Sequence, residues 1–140
     1  MYLYLASALS HYKKIDRWDK VTKWRDILID FCDDNNVKYF NPAKEFPLNI
    51  CNRKLDEKLI VDQNIMFMKK SSIMIVNLDC IEYSPGTQFE MCYFSQVLKR
   101  PIIAIGEKNG SPHILYSVSQ HCDNVDEVIG ILGDLFSQDM

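Results

Sequence analysis

At 140 residues, 47% hydrophobic and 25% charged, the chain has the size and composition of one soluble globular domain, expected to span residues 1–140. Its formal net charge is -3 and its Lys/Arg runs never exceed a pair, which argues against polymeric nucleic acid as a partner, because that grip needs several cations on one face. No apolar run approaches the roughly 20 residues of a membrane span. The start Met1 to Leu9 lacks a basic segment ahead of its apolar run and does not read as a signal peptide. Five cysteines at irregular spacings, without a CxxC pair, read as reduced thiols of a cytoplasmic protein.

In chain order, Tyr2 to Ala6 is a short buried strand. Residues Ser7 to Lys14 read as a loop. From Asp16 to about Asp33 the residues Trp18, Val21, Arg25, Leu28, Phe31 and Cys32 recur near helical spacing, with Asp16 as the expected N-cap and the stripe as core packing. Val37 to Phe40 is a second strand, stopped by Asn41-Pro42. Residues 43–54 read as loop and Leu55 to Lys70 as helix. Ile73 to Leu78 is a nearly continuous apolar strand, followed by the turn Ser84-Pro85-Gly86 and a helix from about Gln88 to Lys99. Pro101 to Ile105 is the next strand, Gly106 to Gly110 a loop, and Val125 to Phe136 a closing helix weakened by Gly130 and Gly133.

Strands that are apolar on both sides and alternate with helices predict an α/β fold, a doubly wound parallel sheet of about four or five strands, flavodoxin-like or more broadly Rossmann-like. Such sheets bind ligands beyond the carboxyl ends of their strands, where the strand order reverses. For a flavodoxin-like order that crevice lies between Ser7–Tyr12 and Asp79–Gly86, and the second of these leads directly into Thr87 and Glu90.

The segment Ser84-Pro85-Gly86-Thr87-Gln88-Phe89-Glu90 therefore carries the most chemical information. Gly86 lets a backbone approach a ligand, and the helix start offers N–H groups to an anion. Two roles are open for Glu90. Thr87-x-x-Glu90 has the form of a capping box, in which each side chain satisfies the other's backbone donor. Alternatively, Glu90 is a carboxylate facing the crevice.

The stretch from Asp62 to Gly106, with its Gly-Thr-Gln-Phe-Glu core, resembles the nucleoside 2-deoxyribosyltransferase family, which includes the 2'-deoxynucleoside 5'-phosphate N-hydrolases and CMP hydrolases. Tyr4-Leu5-Ala6, Asn41-Pro42 and Ser111 to Tyr116 extend the likeness along the chain. The resemblance implies cleavage of an N-glycosidic bond through a covalent glycosyl ester on Glu90, with Tyr4 orienting the carboxylate, and water or a second base taking the sugar. It also implies a small nucleoside or nucleotide as partner and a homodimer or higher homo-oligomer, with Ser111 reaching into the neighbouring subunit's site. No cofactor is implied, and the spread of His11, His113 and His121 gives no metal-ligand spacing.

Two positions depart from the family pattern. Family transferases of free nucleosides carry an Asp six residues before the nucleophile; here that position is Ser84. A hydroxyl can donate to a 5'-phosphate that a carboxylate would repel, so Ser84 and Ser111 together favour a 5'-monophosphate N-hydrolase over a base-exchanging transferase. The family Asp that assists the leaving base, 26 residues before the nucleophile, is replaced by Asn64, which can hydrogen-bond but cannot supply a catalytic proton. That replacement keeps open a third reading, a catalytically silent nucleotide-binding or sensing module. Ser7 and Ser10 on the first loop are candidates to hold phosphate or ribose, and Asp79, at the end of the third strand, is a candidate to line the crevice.

Overall fold

The structure is a computed structural model that describes residues 1–42 and 57–138. Five strands, β1 (Tyr2–Ala6), β2 (Lys38–Phe40), β3 (Ile73–Asn77), β4 (Ile102–Ile105) and β5 (Gln120–Cys122), form one parallel sheet in the order β2-β1-β3-β4-β5. The order reverses at β1, with β2 on one side and β3 on the other. The crevice thus opens between the carboxyl ends of β1 and β3, as the flavodoxin-like expectation required.

Side chains alternate across the pleat and divide the core in two. Leu3 and Leu5 of β1 and Ile73 and Ile75 of β3 face an aliphatic layer with Leu28 and Cys32 of helix α2 (Asp19–Asp34) and Val128 and Leu132 of the C-terminal helix (Val125–Gln138). Tyr4 and Ala6, with Met74 and Val76, face the opposite layer. There they meet Met68 of helix α3 (Glu57–Lys70), Met91 of helix α4 (Pro85–Cys92) and Ile114 of helix α5 (Pro112–Ser117).

The structure corrects several local expectations. Ser7 to Lys14 is not all loop: Leu9–Lys14 forms helix α1, whose Tyr12 is buried with Ala8 and Val21. Asp16 is not the N-cap of α2. It has φ 55 and terminates α1, with its N–H on the Lys13 carbonyl and the Arg17 N–H on the Tyr12 carbonyl, while Trp18 occupies the N-cap position. The helix expected from Gln88 begins at Pro85, because Pro is pre-set for the first helical position. It then passes into a π-helical segment, Tyr93–Val97, and ends at Lys99 with φ 53. β5 was not foreseen; its three residues, two of them polar, carry no strand signal of their own and are recruited by the edge of β4. The expected loop over 43–54 and the first residues of the Leu55–Lys70 helix lie outside the described residues, as does Cys51; the other four cysteines are free thiols.

Candidate active site

A cleft of about 400 Å³ opens at the carboxyl end of β1. Seven of the residues singled out from the sequence line it: Ser7, Ser10, Asn64, Ser84, Gly86, Thr87 and Glu90. A smaller recess of about 70 Å³, walled by Val61, Met68 and Phe89, adjoins it beside Asn64 and Glu90. Gly86 has no backbone need for glycine, since its φ is not positive and a Cβ there would meet no atom within 4 Å. Its bare backbone leaves room at the cleft wall.

Glu90 is the sixth of the eight residues of α4, and its carboxylate accepts a hydrogen bond from the Tyr4 hydroxyl. The capping-box reading is thereby corrected. With Pro85 opening the helix, Thr87 lies inside the first turn, Ser84 is the N-cap, and no side chain caps that end. Tyr4 is fully buried, its ring packed 5.4 Å from that of Phe40, which in turn stacks on Phe67 at 4.0 Å. The packing holds the phenol aimed at one carboxylate oxygen. Burial first, and then the charge of Glu90, push the Tyr4 phenol far above its usual range, so it remains a protonated donor.

Burial pushes the Glu90 carboxyl up to about 7, against the opposing effects of the Tyr4 hydrogen bond and the Arg25 charge. A carboxyl raised above its usual range is, once ionised, a stronger nucleophile than an ordinary carboxylate.

The hydroxyls at the α4 end have a determinate direction. Thr87 Oγ1 donates to the Ser7 carbonyl at 3.0 Å. A hydroxyl has a single proton, so in the 2.7 Å contact between Ser84 and Thr87 the donor is Ser84. Ser84 therefore presents lone pairs to the cleft in this arrangement. To donate to a phosphate, as the sequence suggested, it must turn its proton away from Thr87, giving up a hydrogen bond worth about 1 kcal/mol. Asn64 Oδ1 is buried without a hydrogen-bond partner among the described residues, leaving an acceptor at the cleft wall for a ligand N–H or O–H.

Two candidates lie elsewhere. Asp79 is exposed and lines a separate groove with Asn77 and Trp24, not the Glu90 cleft. Its carboxylate lies against Gly106, where φ is 101 and a Cβ would come within 3.0 Å of Asp79 Oδ1. The Asp79 N–H donates to Asn77 Oδ1 at 2.9 Å, which ties this turn to the end of β3. Ser111 is exposed at the N-cap of α5 and does not line the cleft of its own chain.

Sequence reasoning also missed two cleft residues. Arg25, assigned to the packing stripe of α2, is 1% exposed and lines the cleft. The available signal was a charged residue on an otherwise apolar stripe, since Arg is almost never fully buried without a purpose. Tyr83, on the 3-10 turn Ile81–Tyr83, lies on the cleft wall and stacks on His11 with ring centroids 4.6 Å apart. The sequence predicts a loop over Ser7 to Lys14 and so gives no sign of this contact.

No protein-family model and no curated protein matches the chain. Solved structures do. It is similar to a 2-deoxyribosyltransferase from the psychrotolerant bacterium Bacillus psychrosaccharolyticus (15% identity, TM-score 0.67, covering 92% of this chain and 90% of that one). It is similar also to a conserved protein from Enterococcus faecalis V583 (11%, 0.65, 93% and 95%) and to a CMP N-glycosidase from Clostridium botulinum (18%, 0.61, 97% and 99%). What the chain shares with them is the fold. At these identities nothing finer is carried over, but the expected flavodoxin-like α/β architecture is the one observed.

Proposed function

We propose that the protein cleaves the N-glycosidic bond of a nucleoside or nucleotide, with Glu90 as the covalent nucleophile. The observation that carries this reading is the Glu90 carboxylate held by the Tyr4 hydroxyl in a cleft at the strand-order reversal. A fold likeness to a 2-deoxyribosyltransferase and a CMP N-glycosidase supports it. In the first step a Glu90 oxygen bonds to C1' as the C1'–N bond breaks, and the bonding pair leaves with the base, which takes a proton from water. In the second, water adds to C1', the ester opens, and Glu90 leaves as the carboxylate, the water's extra proton passing to solvent. Asn64 hydrogen-bonds the substrate in this scheme without supplying the proton.

Within this reading the substrate is a 5'-monophosphate and the reaction hydrolysis. Arg25 and Glu90 are the charged residues among the described lining, so among them Glu90 is the sole carboxylate facing a phosphate. Ser7, Ser10 and the Gly86 backbone on the same wall support this reading, with Ser84 joining once its proton turns from Thr87. Ser111 serves the neighbouring subunit of a homodimer, which accords with its exposure and with Tyr116 on the same helix being 81% exposed. Mixing inactive Glu90→Ala chains with Ser111→Ala chains should then restore activity.

The deciding experiment incubates the protein with nucleosides and 5'-monophosphates and follows free base by chromatography, with and without an added acceptor base. Release of base from monophosphates, and a glycosyl adduct on Glu90 by mass spectrometry, are the expected results. Base exchange without net release would make the protein a transferase. Ligand binding without turnover would make it a binding or sensing module, the reading that Asn64 favours.

A further inference from the structure

Arg25 donates from Nη1 to Asn41 Oδ1 at 3.1 Å and from Nη2 to the Ser7 hydroxyl at 3.0 Å and the Leu5 carbonyl at 3.4 Å. All three acceptors are neutral. Among the described residues the ion pairs are Arg17–Asp19 and Lys58–Asp62, so no carboxylate lies within 4.0 Å of this guanidinium. Its Nε has no partner among the described residues, and its Cζ lies 5.1 Å from the centre of the Trp24 ring. Burying a charge with neutral partners alone costs several kcal/mol, and neutral donors could brace Asn41 and Ser7 without that cost. Among the described residues the acidic group that shares the cleft with Arg25 is Glu90.

We propose that Arg25 is the positioning residue of the site, setting its charge against the burial of the Glu90 carboxyl across the shared cleft and fixing Ser7 as a hydrogen-bond donor to the ligand. The second effect follows from direction: Nη2 fills a lone pair of Ser7 Oγ, so the Ser7 proton is left to point elsewhere. The first follows from the surroundings of Glu90. Among the described residues the titratable groups that act on it are Tyr4 from β1 and Arg25 from α2; Tyr83 shares the cleft wall, α3 presents the uncharged Asn64, and the start of α4 presents Ser84 and Thr87. Tyr4 is neutral, so Arg25 is the one positive charge that favours the ionised carboxyl among the described residues. Burial lowers Arg25 only to about 9, and it is a cation at neutral pH.

The catalytic consequence rests on the reading of Glu90 as nucleophile, but the electrostatic part does not, and the test keeps them apart. The Glu90 carboxyl is titrated by carbon NMR with labelled glutamate in the ligand-free protein, its signal assigned by its loss in Glu90→Gln. In Arg25→Met the midpoint should rise by about one pH unit or more, the size expected for losing a nearby opposite charge. In Arg25→Lys it should stay near the wild-type value, because the charge is kept. An unchanged midpoint in a folded Arg25→Met protein overturns the proposal. Should that variant not fold, the wild-type Arg25 Nε resonance decides: it must inflect at the Glu90 midpoint, and a flat response overturns the proposal equally. The Ser7 part is read from binding of a 5'-monophosphate, which Arg25→Lys should weaken by roughly tenfold, the loss of about one hydrogen bond's worth of orientation; unaltered binding overturns that part. If the midpoint moves but no substrate turns over, Arg25 keeps its electrostatic role and the glycosidase reading falls. If turnover is present, its acidic limb should move up with the midpoint in Arg25→Met and return in Arg25→Lys.

Discussion

The two faces of the sheet are built from different materials. The face under α2 and the C-terminal helix is mainly aliphatic, with Leu3, Leu5, Ile75, Ile103, Val128 and Leu132 buried together and most of its aromatics, Trp24, Phe31 and Phe136, on the helices rather than the strands. The opposite face carries Tyr4, Phe40, Met68, Met74, Met91 and Phe94. Aliphatic packing needs only volume and exclusion of water. A face that must present a hydroxyl to a carboxylate needs rigid rings to aim it, and thioethers to fill the irregular gaps between them. One strand serves both, since Leu3 and Leu5 point one way and Tyr4 the other. Arg25 breaks the division: it grows from a helix of the aliphatic face yet reaches the cleft over the carboxyl edge of the sheet, donating to Leu5 and Ser7 at the end of β1.

If the division of labour holds, damage to each face should be read by a different instrument. Glu90→Ala should reduce base release to background while the melting temperature shifts by no more than a few degrees, since the carboxylate packs nothing in either core. Full turnover in that variant would remove the nucleophile assignment.

Leu132→Ala, on the aliphatic face, should cost about 2–5 kcal/mol of stability in urea denaturation and leave the turnover of the remaining folded protein unchanged. A loss of activity per folded molecule would show that the faces are coupled. Tyr4→Phe should do the reverse. Its ring stays packed and stability changes little, but the carboxylate loses a hydrogen bond worth about 1.5–3 kcal/mol, or roughly ten- to hundredfold in turnover. The acidic limb of its pH profile should also rise, because the Tyr4 hydrogen bond is one of the two influences holding the Glu90 carboxyl down.

The smallest effect concerns stability and pH. The Glu90 carboxyl is raised to about 7 by folding, so between its unfolded value and pH 7 the folded state binds more protons than the unfolded one, and stability falls as pH rises through that window. Glu90→Gln removes the penalty and keeps an acceptor for Tyr4. At pH 8 it should be more stable than wild type by on the order of 1–2 kcal/mol, after allowing for screening by water in the cleft, and no more stable at pH 4. Equal melting temperatures at pH 8 would mean that the carboxyl is better solvated than its packing implies.

The sequence by itself determined the features that depend on local pattern. Near-continuous apolar runs such as Ile73–Val76, short and bounded by polar residues, read as strands covered on both sides, and strands of that kind separated by helices leave little choice but a parallel doubly wound sheet. That topology in turn located the crevice between the loops that carry Ser7 and Ser84, leading into Glu90, while the pairing of Tyr4 with Glu90 came from the family resemblance. Short elements escaped because their stability is not local: α1 and β5 are too brief to hold themselves and exist through Tyr12 packing and the β4 edge. The tertiary structure alone decided the roles that depend on direction. Asp79 and Glu90 were both carboxylates near the crevice, and in the fold the first lies against Gly106 in a separate groove. Arg25 fitted the helical stripe as well as Leu28 did, and only the bend of its side chain over the sheet edge sets it among Asn41, Ser7 and the cleft. Periodicity reports which side of an element a residue occupies; where a long or turn-borne side chain ends is set by what the other elements leave open to it.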